Sequence, residues 1–281
     1  MSGLDQMTVA AVQAEAVPGD VAANVATAAR LVVQASDRGA TVVVLPELFL
    51  SAYHPPVIGA QPSVDLAADG DQVIADPRLD RLRAAARDHH AVVVVGSPVR
   101  HSDGRRTCSA VVVDRFGAAT APYDKQQLWG PDEQALFVPG DHGATLTVDG
   151  WRFGLGVCYD GCFPEHGRAA ALAGADGYLA PSGYVVGSAH RRDVYYAARA
   201  LDNTMYVAFA NSVGGAEPWC FNGGAAIYDP EGRVLDRAPD TGEHIAVAVL
   251  DHAEIDRTRA SHSMLRDRRT DLGDRVEVTA G

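Results

Sequence analysis

Phe153-Gly154-Leu155-Gly156-Val157-Cys158-Tyr159-Asp160-Gly161-Cys162-Phe163-Pro164-Glu165 decides how this chain folds. An apolar run stops abruptly at Cys158, and Pro164 then stands where a first helical position favours proline. The stretch is a strand-to-helix turn. A thiol there lies at the mouth of a sheet and near a helix N-terminus, a setting that lowers its pKa from about 8.5. Free cysteine is also among the most buried residue types, so a packed core cysteine is the alternative.

Outward from this turn the same alternation repeats. Downstream, a helix over about 164–173 leads to a strand Gly177–Ala180; Ser188 is placed to cap a helix with Val194, Ala197 and Leu201 inside. Met205–Ala210, Gly224–Tyr228 and His244–Leu250 read as strands, followed by a helical piece over about 251–259. Upstream, Met7–Gln13 is a strand, and Asp20 caps a helix with Val21, Val25, Ala28 and Val32 at helical spacing. Thr41–Leu45 is a short branched run of the kind buried on both faces. Asp76-Pro77 opens another helix, Ala91–Val95 is a strand closed by Gly96, and Ser109–Val113 is a strand ending in the turn Asp114–Gly117; residues 122–143 read as loop-rich.

Strand, helix, strand, helix, strand thus occurs twice, over roughly 7–95 and 151–210. Gly39-Ala40 before Thr41–Leu45 and Pro46 echoes Gly174-Ala175 before Asp176–Ala180 and Pro181. Two β/α layers packed sheet on sheet, with helices outside, would bury these apolar strands. The expected fold class is α/β. No Pro/Ser-rich linker or charge run divides the halves, so one domain is expected over 1–281, with its core at about 7–272 and a C-terminal tail at about 260–281.

A formal charge of −12 argues against nucleic acid or an anionic membrane as partner, since both select Lys/Arg-rich surfaces. No stretch approaches the roughly 18 apolar residues of a membrane span. Met1–Gln6 has neither a basic region nor a signal-type apolar block. A cytoplasmic protein is expected, with Cys108, Cys158, Cys162 and Cys220 as free thiols.

Glu47, Lys125 and Cys158 fall at strand ends or in the long loop. Taken singly, Glu47 also suits a helix start and Lys125 a solvated surface. Together they make a nucleophilic site: a carboxylate in a partly apolar pocket takes the thiol proton, while an ammonium and the Tyr159 amide stabilise the oxyanion of an attacked carbonyl. Water activated by the same carboxylate would then cleave the thioester. A Cys–His pair using His166 or His190 is a weaker alternative. So is a metal or redox pair of Cys158 with Cys162, because a zinc site needs further ligands at matching spacing. No P-loop or dinucleotide fingerprint occurs.

Leu45-Pro46-Glu47-Leu48-Phe49, Tyr123-Asp124-Lys125, and Gly156-Val157-Cys158-Tyr159-Asp160 with Phe163-Pro164-Glu165 resemble the three ordered motifs of the nitrilase superfamily of carbon–nitrogen hydrolases. Glu133 with Phe137-Val138-Pro139-Gly140, Ala198-Arg199-Ala200-Leu201-Asp202-Asn203 and Leu265-Arg266-Asp267-Arg268-Arg269 fit as well, so the resemblance spans roughly 7–272. It implies a four-layer αββα sandwich of two packed β-sheets with helices on the outer faces, a homodimer or larger homo-oligomer, and neither metal nor organic cofactor. It implies Glu47 as general base, Lys125 as stabiliser of the tetrahedral intermediate, Cys158 as nucleophile and Glu133 as an acid that positions lysine and substrate. Tyr159, Tyr53, Trp129 and Ser182 are the expected oxyanion and substrate-binding residues.

Some positions depart from common family patterns: Gln127 where His is frequent, Ser51-Ala52-Tyr53 for Thr-Gly-Tyr, and Ala225 for Ser after Gly223-Gly224. Gly161 and Cys162 replace the arginines with which relatives acting on N-carbamoyl amino acids hold a carboxylate, although Arg191 or Arg192 could provide a cation from elsewhere. Tyr159-Asp160 is closer to the amidase branches than to nitrilases, where Trp-Glu is common. Asp202, with Gly187-Ser188-Ala189-His190 upstream, is similar to omega-amidase-type members. The expectation is hydrolysis of a small linear amide to a carboxylic acid and ammonia. A nitrilase or an N-carbamoyl-amine hydrolase is the alternative on the same fold. A non-catalytic binding protein and an acyltransferase are further possibilities.

Overall fold

The computed structural model describes residues 5–280, so Met1–Leu4 of the N-terminal segment and Gly281 lie outside the described residues. The first half runs β1 (Gln6–Ala14), α1 (Val21–Asp37), β2 (Val42–Val44), α2 (Pro55–Ala60), β3 (Leu66–Ala68), α3 (Asp80–Asp88), β4 (Val92–His101), β5 (Arg106–Val113), β6 (Ala119–Asp124) and α4 (Gly130–Leu136). Then come β7 (Thr145–Val148), β8 (Trp151–Leu155), α5 (Pro164–Leu172), β9 (Gly177–Ser182), α6 (Ala189–Asn203) and β10 (Tyr206–Gly214). The chain ends in β11 (Phe221–Asn222), β12 (Ala226–Tyr228), β13 (Val234–Arg237), β14 (His244–Asp251), α7 (His252–Ser261) and α8 (Met264–Asp267). No helix among the described residues is long and apolar enough to cross a membrane.

Parallel pairing of β1, β2 and β4 builds one layer, and parallel pairing of β8, β9 and β10 builds the other. They join through only two residue pairs, Gln13 with Asn211 and Ala14 with Ser212. At that narrow seam the network curls back on itself. β4 and β9 lie four strand steps apart, roughly 19 Å in a flat sheet, yet their residues approach within 8 Å Cα to Cα. The expected pair of packed sheets is thus one hydrogen-bonded network folded into two layers. Helices α1 and α3 pack together beside the first layer, and α5 and α6 beside the second. Strands β1, β2, β4, β8 and β9 are buried almost throughout, which is why they read as continuous apolar runs rather than alternating ones.

Asp20 caps α1 as expected, its carboxylate accepting from Ala23 N at 2.9 Å. Three expectations are corrected. Gly96 does not close its strand: β4 runs on to His101, and a Cβ at Gly96 would stand 2.2 Å from Leu48 N, so the glycine lets the Glu47-Leu48 backbone pass. The segment read as loop-rich contains β6 and α4. Helix α6 buries Arg192, Tyr196, Arg199, Ala200 and Asn203, while Val194 and Leu201 are 51% and 40% exposed. On that inward face Tyr196 donates its hydroxyl to Cys158 O.

Candidate active site

Glu47 follows β2 and Pro46, and its side chain is fully buried. The chain turns sharply there: Leu48 has φ +48°, Gly96 N donates to Pro46 O at 3.0 Å and Leu50 N to Gly96 O at 3.1 Å. Lys125 follows β6 and is clamped on both sides of its backbone, donating to Cys108 O at 2.8 Å and accepting from Gly140 N at 2.9 Å. Gly140 has to be glycine here, since a Cβ would stand 2.3 Å from Asp124 O. The Lys125 ammonium, also fully buried, lies 2.6 Å from Glu47 Oε1 and 2.7 Å from Glu133 Oε2. Glu133, on α4, further accepts from Tyr53 Oη at 2.7 Å and from Trp129 N at 2.8 Å. Two carboxylates thus hold one ammonium out of water.

Cys158 begins a single 3-10 turn (Cys158–Cys162) with φ +45°. A non-glycine residue in that region costs of order 1–3 kcal/mol and persists only where its surroundings hold it. They do so here. Tyr196 Oη donates to Cys158 O at 2.9 Å. Asp160, buried, accepts from Val157 N (2.9 Å), Tyr123 Oη (2.7 Å) and Gln127 N (2.8 Å), tying the turn to the segment that carries Lys125. Gly156 admits the Tyr178 hydroxyl, which an added Cβ would meet at 1.8 Å.

Glu47, Glu133, Cys158, Tyr159, Tyr53 and Trp129 all line one cavity of about 310 Å³. Gly183, Tyr184 and Val185 after β9, Cys162 from the turn, and Ser188, Arg191 and Tyr195 from α6 complete it. Burial pushes the Glu47 carboxyl up to about 7, opposed by Lys125 and reinforced by Glu133. Glu47 Oε2 has no hydrogen-bond partner among the described residues. Burial also works against the Lys125 charge, but Glu47 and Glu133 outweigh it and hold its pKa above the ordinary lysine range. For Cys158, burial and then the Glu47 carboxylate push the thiol well up, against Lys125. The lowered thiol pKa expected from a helix N-terminus is therefore reversed. Burial thus works towards the uncharged form of both the Cys158 thiol and the Glu47 carboxyl.

Ser182 is not on the cavity wall. Its hydroxyl meets Tyr196 Oη at 2.9 Å and donates to Ala180 O at 3.1 Å, so it braces the tyrosine that holds Cys158. His166 is fixed between the Tyr123 and Tyr178 hydroxyls at 2.7 and 2.8 Å, and burial lowers its pKa. Cys162 Sγ lies 3.1 Å from Tyr184 Oη. Cys220 does not line the cavity. Three contributors escaped the sequence reading. Cys108 Sγ reaches 3.7 Å from Glu47 Oε1, a contact across 61 residues with no local signal. Asp160 stands within the quoted motif, where an acid in a tight turn could have been read as an acceptor for free amides. The segment 183–185 was within reach of the internal echo, which sets Pro181-Ser182 against Pro46-Glu47.

The model of the carbon–nitrogen hydrolase family matches residues 8–260. Among curated relatives, an (R)-stereoselective amidase of a Pseudomonas species is 35% identical over 85% of this chain and 84% of its own length. An N-carbamoylputrescine amidase of Solanum tuberosum is 30% identical over 95% of this chain and 93% of its own. Among solved structures, a mutant of the amidase from Nesterenkonia sp. AN1, showing covalent addition of the acetamide moiety of fluoroacetamide at the active site cysteine, superposes with a TM-score of 0.81, 32% identity and 95% coverage of both chains.

Proposed function

The chain belongs to the carbon–nitrogen hydrolase family, and on that premise we propose that it is an amidase converting a small linear carboxamide to a carboxylic acid and ammonia through a thioester on Cys158. The observation that carries this is the convergence of one thiol, two carboxylates and one ammonium around a single cavity of about 310 Å³. That volume sits at the small end of ligand pockets, roughly 300–1,000 Å³, which suits a short substrate.

Glu47 accepts the Cys158 thiol proton as Sγ attacks the amide carbon. The oxygen gains the negative charge, and Lys125 Nζ with the Tyr159 amide stabilises it. Collapse breaks the C–N bond, and the proton held on Glu47 leaves with the amine as ammonia. Water then gives a proton to Glu47 while its oxygen attacks the thioester. Loss of the thiolate, reprotonated from Glu47, releases the acid. A carboxyl titrating near 7 suits both directions of transfer. Glu133 holds Lys125 in place and orients Tyr53.

A nitrilase or an N-carbamoyl-amine hydrolase is the second reading, the latter supported by the Solanum tuberosum relative. Ammonia release from a panel of amides, nitriles and ureido compounds separates them: the amides should turn over, and activity confined to nitriles or ureido compounds overturns the proposal. The reading extends to a homo-oligomer, for which exposed Leu172 on α5 and Val194 and Leu201 on α6 supply apolar surface. It extends also to a cytoplasmic location, in keeping with four free thiols. Sedimentation and cell fractionation test these two points.

A further inference from the structure

His166 is the third residue of α5 and bridges two strands, β6 and β9, that lie six steps apart in the folded network. Its Nε2 is 2.7 Å from Tyr123 Oη on β6, and its Nδ1 is 2.8 Å from Tyr178 Oη on β9. The hydrogens on these contacts can be placed from the far end. The Asp160 carboxylate accepts, so the single hydrogen of the Tyr123 hydroxyl goes to Asp160 Oδ2, at 2.7 Å. The contact between Tyr123 and the ring is then donated by His166, as Nε2–H. A neutral imidazole carries one N–H, so Nδ1 accepts and Tyr178 donates to it. Burial favours the neutral ring, lowering the His166 pKa against the pull of Asp160. Three hydrogen bonds therefore point one way, from Tyr178 to His166 to Tyr123 to Asp160.

Asp160 also accepts from Val157 N at 2.9 Å and from Gln127 N at 2.8 Å. Val157 precedes the thiol, and Gln127 follows Lys125 by two residues. One carboxylate thus sets the nucleophile and the ammonium relative to each other, and hydrogen bonds in series strengthen one another. Tyr178, His166, Tyr123 and Asp160 are all absent from the wall of the catalytic cavity. The series reaches the reacting groups from behind, without touching a substrate. His166 faces instead a separate cavity of about 480 Å³, where Glu165 is the other titratable side chain on the wall.

We propose that His166, held as the Nε2–H tautomer, is a positioning residue: by donating to Tyr123 it commits the tyrosine's only hydrogen to Asp160, and so fixes Cys158 against Lys125. The effect on turnover rests on the amidase reading above; the tautomer does not.

His166→Phe keeps the bulk of the ring and removes both hydrogen bonds. At pH 8, kcat for butyramide should fall about tenfold, the scale of one hydrogen bond to a charged group. KM should stay nearly unchanged, because the cavity wall is untouched. His166→Gln, whose amide can still donate to Tyr123, should keep most of kcat. In a Tyr123→Phe background the hydrogen to Asp160 is already gone, so adding His166→Phe should cost nothing further. An unchanged kcat in His166→Phe, a fall confined to KM, or losses that multiply in the double variant overturns the inference. Nitrogen-15 NMR of the histidine rings in the wild-type protein at pH 8, assigned by the signal lost in His166→Gln, tests the tautomer without turnover and without His166→Phe having to fold. A proton on Nε2 with none on Nδ1 supports the inference, and a proton on Nδ1 overturns it. Failure of the wild-type protein to hydrolyse butyramide or other short amides counts instead against the amidase reading and leaves the NMR result to decide the tautomer.

Discussion

Glu47 N donates to Ser182 O at 3.3 Å, and the two residues hold the same place in the two halves of the chain, each directly after the proline of a buried strand, Pro46 and Pro181. The internal echo therefore has a physical meeting point. One copy of the position carries the carboxylate; the other braces Tyr196, which holds Cys158. A carboxylate fixed where two layers meet has little freedom to move, which is what the proposed proton transfer over a hydrogen-bond distance requires.

Because burial raises the Glu47 carboxyl to about 7, kcat/KM should fall about tenfold per unit below pH 7 as the base becomes protonated. No thiol limb should appear near pH 8.5, since burial and Glu47 push Cys158 above that range. A pH–rate profile with its acid limb near 4.5 contradicts the burial of an active base.

Lys125→Ala leaves two buried carboxylates facing each other without their shared cation. The rate should drop about 10²–10³-fold from the lost charge stabilisation. Stability should fall by about 3–5 kcal/mol, as for an unpaired buried charge. The sign with pH follows from linkage. Burial already raises the Glu47 carboxyl to about 7 with the cation in place, and without it the carboxyl rises further, so the loss is smallest below about pH 4.5 and grows as pH rises towards 8. Urea denaturation of the variant at pH 5 and pH 8 measures this difference.

Cys158→Ala should abolish turnover, whereas Cys162→Ala should keep substantial activity. Cys162 contributes only a contact with Tyr184 Oη on the cavity wall, worth of order 1 kcal/mol. Its loss should appear in KM more than in kcat. Equal loss from the two substitutions would return the pair to a redox or metal role.

Gly96→Ala sets a Cβ at 2.2 Å from Leu48 N, and Gly156→Ala sets one at 1.8 Å from Tyr178 Oη. The first displaces the backbone that carries Glu47, the second the turn that carries Cys158. Each should cost about 1–3 kcal/mol or more in stability and lower kcat together with it. Thermal denaturation paired with activity measures both, and a fully active, fully stable Gly96→Ala protein contradicts the close approach.

Local chemistry made the buried strands β1, β2, β4, β5, β8, β9 and β10, helix α1 and the Cys158 turn legible, because apolar runs, caps and breakers act over a few residues; β3, β6, β7, β11 and β13 carried no such run and were not read. The Glu47, Lys125 and Cys158 set was legible through the order of its motifs, and the structure brings the three together. What escaped depends on distant partners. Gly96 looked like a strand end because the backbone it accommodates, Glu47-Leu48, lies nearly fifty residues upstream. The buried face of α6 was misread because Arg192 and Arg199 go inward while Val194 and Leu201 stay out, against the hydrophobic pattern. Ser182 was placed near the substrate, but its hydroxyl turns to Tyr196.

The central claim is that Cys158 carries the acyl group during turnover. Mass spectrometry of enzyme acid-quenched in steady state with butyramide, followed by peptide mapping, tests it most directly. The account predicts the mass of the acyl group on the peptide containing Cys158, removed by hydroxylamine and absent from Cys158→Ala. Turnover with no adduct on that residue, or with the adduct on Cys162, contradicts it.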